Sequence, residues 1–102
     1  MSAPPSTWSF SAAIWQWEGG AWRFLTVPED VSDEVDEVVG DNTGGFGSVR
    51  VEVVIGTSRW QTSLFPSTKE GAYVLPVKKA VRTAQKLADG DVADLTITLI
   101  DR

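Results

Sequence analysis

Between Val49 and Ile55 the chain reads Val-Arg-Val-Glu-Val-Val-Ile. Val49, Val51, Val53 and Ile55 occupy one side of a period-two pattern, and Arg50 and Glu52 the other. That is the pattern of a half-buried β-strand. Gly56-Thr57-Ser58 is turn chemistry. Arg59 to Phe65, rich in aromatic and β-branched residues, predicts a second strand. Pro66 is expected to end it, because proline cannot donate to a ladder. A turn over residues 67–71 leads to a short strand, 72–75. Pro76 suits the first turn of a helix, where a missing N–H costs nothing. Val77, Val81, Ala84 and Ala88, with Ala80 and Leu87 beside them, form one apolar stripe at helical spacing. Lys78, Lys79, Arg82 and Lys86 fall mostly off that stripe. Gly90 is the expected stop signal.

The N-terminal half has the same grammar. Trp8 to Trp17 predicts a strand, Gly19-Gly20 a two-residue hairpin loop, and Trp22 to Val27 the return strand. With that loop, Trp17 faces Trp22 and Trp15 faces Phe24, so four aromatics share one face. Ala12, Ile14, Leu25 and Val27 share the other. Both faces are apolar, which predicts cover on both sides. Pro28 opens a helix, with Glu29 and Asp30 suited to the positive end of its dipole. Its apolar stripe is Val31, Val35 and Val38, and Gly40 ends it. A loop follows, with Gly44-Gly45-Phe46-Gly47 at its tip. At the other end of the chain, Val92 to Ile100 predicts the last strand.

The two halves therefore run in parallel, about 8–56 and 57–102. Val27-Pro28 matches Leu75-Pro76, and Gly40-Asp41 matches Gly90-Asp91. The helix stripe 31, 35, 38 matches 80, 84, 87. This reads as an internal duplication of a ββαβ unit of about fifty residues. One such unit cannot bury its own sheet face. Two related by a pseudo-twofold axis can close a small barrel and remove exposed edges. The expected fold is mainly β, a single domain of six strands and two short helices, over residues 8–102. Residues 1–7 are expected to be a loose tail.

Of 102 residues, none is cysteine or histidine. This removes disulfides, thiolate chemistry, zinc sites with those ligands and His-activated nucleophiles. No apolar run approaches the ~20 residues of a membrane span. The opening residues lack the features of a signal peptide, so a cytoplasmic protein is expected. The net charge of −5 argues against strong non-specific nucleic-acid binding. The charge is unevenly spread: up to Gly47, Arg23 is the only basic residue among eight acidic ones.

The run Val51-Glu-Val-Val-Ile-Gly56, Trp60, Thr62 to Pro66, Gly71, Tyr73, Leu75 to Lys78, Ala80 to Arg82 and Gly90-Asp91 resembles a bacterial family, domain of unknown function 1905. The resemblance covers most of the chain. It implies a double-split β-barrel, related to the swapped-hairpin barrels of AbrB and MazE-type DNA-binding proteins. It also implies that one chain carries both halves of the barrel. It brings no activity and no functional residues.

Four candidate sites follow. Lys78, Lys79, Arg82 and Lys86 form a basic cluster for phosphates or an acidic partner; the plainer reading is a solvated helix face, paired with the acidic first helix. Trp15, Trp17, Trp22 and Phe24 would stack on a ligand if exposed, and are barrel filling if buried. Burial is the expectation. The glycine loop precedes a strand rather than a helix, so it lacks the context of a phosphate loop. Glu29, Asp30, Asp33, Glu34, Asp36 and Glu37 read as a solvated face. The function expected is non-catalytic binding of an unknown protein or small molecule, by a monomer without cofactor or metal. Weak nucleic-acid binding through the basic helix is the alternative.

Overall fold

The computed structural model describes residues 6–40 and 47–100. Its elements in chain order are β1 (Thr7–Ala13), β2 (Trp15–Gln16), β3 (Arg23–Thr26), helix α1 (Glu29–Val39), β4 (Val49–Ile55), β5 (Ser58–Ser67), β6 (Ala72–Pro76), helix α2 (Lys79–Gln85) and β7 (Val92–Leu99). The strands form one antiparallel sheet in the order β1-β7-β4-β5-β6-β3-β2. Its two outer strands are neighbours in sequence. The sheet is therefore a curled half-barrel, joined to itself through Ile14.

Six strands were expected and seven are found, because the first one breaks at Ile14. There the chain changes partner, from β7 to β3. Ile14 is buried, so its backbone groups must be satisfied. Its N–H donates to the Asp91 carbonyl at 2.9 Å, and its carbonyl accepts from Gly90 N–H at 2.7 Å. Gly90 thus anchors a strand break rather than ending a helix.

The two halves superimpose their pairings under a shift of fifty residues. Trp15–Phe24 becomes Phe65–Val74, and Gln16–Arg23 becomes Pro66–Tyr73. Val27 N–H donates to the Tyr73 carbonyl and Val77 N–H to the Arg23 carbonyl, each at 2.9 Å. This register corrects the alignment on prolines. Val27 corresponds to Val77, and Pro28 to Lys78, which are the two helix N-caps. Pro76 closes β6 opposite Phe24 instead of opening α2.

Pro66 does not end its strand, since β5 runs on to Ser67. Its partner Tyr73 sends its N–H to Ser32 Oγ and its carbonyl to Val27, away from β5. A proline at this position therefore leaves no ladder bond unmade.

Helix α2 is shorter than its apolar stripe suggests. Lys86 adopts the left-handed conformation at φ 55°, and Leu87 N–H reaches back to the Arg82 carbonyl at 2.8 Å. That is a Schellman-type stop. Val77 and Val81 are buried, but Ala80, Ala84 and Ala88 are exposed. In α1 the buried apolar positions are Val31, Val35 and Val39, with Val38 half-buried. The core lies inside the curl, with Ile14, Leu25, Leu64, Leu75 and Ile97 among its fully buried members. Each such side chain contributes roughly 1.5–3 kcal/mol by leaving water.

Candidate binding site

The hairpin of β2 and β3 carries the aromatic face. Trp17 N–H donates to the Trp22 carbonyl at 3.0 Å, which puts these two indoles opposite one another, and Trp15 pairs with Phe24. The expected register holds, although the loop spans residues 18–21. Gly20 N–H closes a turn onto the Trp17 carbonyl, with Gly19 at φ 69°. The rings pack in a row. Centroids lie 5.3 Å apart for Trp15–Phe24, 5.4 Å for Trp17–Phe24 and 6.3 Å for Trp22–Phe24.

Burial of this set was expected, and the structure overturns that for two of the four. Trp17 is 50% exposed and Trp22 65% exposed, while Trp15 and Phe24 are half-buried. The other face of the hairpin, with Ile14, Leu25 and Val27, takes the core. The helices cover the sheet elsewhere, so the tips of the aromatic row stay in water. Trp15 is held from behind: its Nε1 donates to Thr26 Oγ1 at 3.0 Å, and that hydroxyl donates to Glu70 Oε1 at 3.0 Å.

Trp17, Trp22 and Phe24 line one side of an open cleft of about 410 Å³. Phe65, Pro66, Ser67, Val74 and Pro76 complete it. Phe65 is 42% exposed. Sequence reasoning missed this second wall. The signal was present: Leu64 is an inward position, so its neighbour Phe65 had to point out.

A second groove of about 210 Å³ adjoins at Pro66 and Ser67, lined also by Asp33, Asp36 and Tyr73. Tyr73 Oη donates to Asp36 Oδ1 at 2.8 Å. Burial first, then that bond and the carboxylate charge, hold the Tyr73 hydroxyl well above its ordinary pKa. Ser32 is buried but satisfied, donating to the Val27 carbonyl at 3.3 Å and accepting from Tyr73 N–H at 3.1 Å.

A family model described as domain of unknown function (DUF1905) matches residues 10–97. The chain belongs to the DUF1905 family. No curated protein matches the chain. The family description names no activity, so the chemistry of this DUF1905 chain has to be read from its own surface.

Lys79, Arg82 and Lys86 do converge in this DUF1905 chain, around a depression of about 260 Å³ on α2. Lys78 is the N-cap beside them. Arg82 is half-buried and its Nε donates to the Val77 carbonyl at 3.0 Å. None of the four joins an ion pair among the described residues, so the expected pairing with α1 is not seen there. The ion pairs among the described residues are Arg23–Asp89 at 2.5 Å and Arg59–Glu52 at 3.2 Å. The basic depression shares no lining residue with the aromatic cleft.

The acidic residues of α1 are exposed, as expected of a solvated face. Two of them also tie the helix to strands, Asp36 to Tyr73 and Glu34 to Trp8 Nε1 at 3.3 Å. The tip of the glycine loop lies outside the described residues, apart from Gly47. No helix among the described residues is long and apolar enough to cross a membrane.

Proposed function

We propose that this DUF1905 chain is a small, non-catalytic binding module whose ligand docks on the aromatic cleft. The observation that carries this reading is an asymmetry. Under the fifty-residue shift, Trp17 and Trp22 correspond to Ser67 and Ala72. The same strand pairing is built in the other half with two small side chains. The fold therefore does not require indoles at 17 and 22. Large exposed apolar groups that the fold does not require are the usual mark of an interaction site.

The test is an NMR titration of soluble apolar and aromatic fragments, read on the tryptophan indole N–H signals. Shifts at Trp17 and Trp22 are expected, with Trp8 and Trp60 unmoved. A fragment set that leaves both signals in place would sink the reading.

Convergence of Lys79, Arg82 and Lys86 supports a second reading, weak nucleic-acid binding on α2. Anisotropy of labelled DNA and RNA oligonucleotides tests it at low and moderate salt. Binding there should fall steeply with salt and disappear when the three residues become alanine. The net charge of −5 weighs against it.

A further inference from the structure

Resting on the binding reading above, we infer that the aromatic cleft and the adjoining acidic groove together receive one extended, proline-rich peptide segment that carries a basic residue. The cleft supplies the first half of the recognition. Its lining is Trp17, Trp22, Phe24, Phe65, Val74 and two prolines, with Ser67 as the one polar side chain, so an apolar occupant fits better than a sugar. A polyproline II segment is the peptide form that aromatic-lined grooves take most cheaply, because it is already extended and loses little entropy on docking. Its carbonyls have no internal partners. The indole N–H groups of Trp17 and Trp22 have none among the described residues, and each can donate one bond.

The groove supplies the second half. It meets the cleft at Pro66 and Ser67, and it presents Asp33 and Asp36. Between residues 29 and 37, α1 carries six carboxylates and no lysine or arginine. A segment leaving the cleft across Pro66 therefore enters a negative field. A lysine or arginine at that point is attracted, and an acidic residue or a phosphate is repelled. The same field makes a nucleic-acid strand a poor occupant of this cleft.

The experiment pans a random peptide display library on the full chain, on W17S/W22A and on D33N/D36N. The first variant installs the residues that the other half already carries, so it is expected to retain the fold, which its circular dichroism checks. The second keeps the shape and the Tyr73 acceptor while removing charge. Enriched sequences should contain prolines and a lysine or arginine. Synthetic versions should bind W17S/W22A at least roughly tenfold more weakly than wild type. Their affinity should fall with salt on wild type and become nearly salt-independent on D33N/D36N. Enriched peptides that need Trp17 and Trp22 but lack proline or base overturn this inference and leave the binding reading standing. Peptides that bind W17S/W22A as tightly as wild type, or no enrichment at all, overturn it too; the fragment titration then decides the binding reading separately. Self-association abolished in W17S/W22A would give the cleft to a second copy, and would likewise end the proposal.

Discussion

Leu25 and Leu75 pair directly across β3 and β6, and both are fully buried. They are fifty residues apart, the same shift that maps Trp15–Phe24 onto Phe65–Val74. The pair therefore sits on the pseudo-twofold axis, each leucine the counterpart of the other. Truncating either to alanine opens a cavity where the two halves meet, and should cost about 2–5 kcal/mol. Because they touch, the double variant should deviate from the sum of the singles by about 0.5–3 kcal/mol. Denaturant unfolding of the four proteins measures both quantities. Strict additivity would contradict a shared site at the axis.

Much of this architecture was legible in the residues. The alternation at 49–55 specified β4 and its buried face, and the hairpin register followed from the position of Gly19-Gly20. The repeat was legible too, and the match of Gly40-Asp41 with Gly90-Asp91 carried its fifty-residue shift, but the match of the prolines did not. Proline is tolerated both at an N-cap, as Pro28, and at a strand end whose N–H is not needed, as Pro76. Aligning the two prolines therefore shifted the halves by two residues. The extent of α2 was misread because alanines are compatible with either environment, so Ala80, Ala84 and Ala88 extended a stripe that the fold leaves in water. The exposure of Trp17 and Trp22 was beyond a local reading. It depends on which hairpin face the helices cover, and that is a tertiary choice.

Tyr73 is the only tyrosine in the sequence, so phenolate absorbance reports it alone. Burial and the Asp36 carboxylate raise its folded-state pKa above the unfolded value of about 10. The folded state then holds the proton after the unfolded state has lost it. Stability from this group is complete below about pH 10 and falls as pH rises beyond that. Native protein should show no phenolate signal at about pH 10, where denatured protein is half ionised. In denaturant unfolding at alkaline pH, Tyr73→Phe should show a shallower fall in stability than wild type. Equal slopes would mean that the hydroxyl is not protected.

Lys86 ends α2 in the left-handed region at φ 55°, a conformation that costs a side-chain-bearing residue roughly 1–2 kcal/mol. Gly40, at φ 54°, ends α1 without that strain. Lys86→Gly should therefore stabilise the protein, by about 0.5–1 kcal/mol once the added freedom of the unfolded chain is subtracted. Lys86→Val should destabilise it, since a β-branched residue fits this region worst. The order Gly, Lys, Val in unfolding midpoint is the expected result. A destabilised glycine variant would show that the lysine side chain contributes to the cap in a way that its backbone conformation does not explain.

Trp17 and Trp22 set stability against function. Each packs a ring on Phe24, and such pairs contribute roughly 0.5–1.5 kcal/mol beyond their buried area. W17S/W22A should therefore lose on the order of 1–3 kcal/mol and remain folded, because Ser67 and Ala72 already occupy the matching sites. Of the five tryptophans, Trp8 is buried and Trp15 and Trp60 half-buried, so the two that are removed supply most of the water-accessible emission. Iodide quenching should be strong in wild type and weak in the variant, with the emission maximum moved to shorter wavelength. If the variant quenches as readily as wild type, the exposed rings lie elsewhere and the cleft loses its claim to be the binding surface. If it unfolds instead, the indoles are structural, and the asymmetry between the halves has a stability origin.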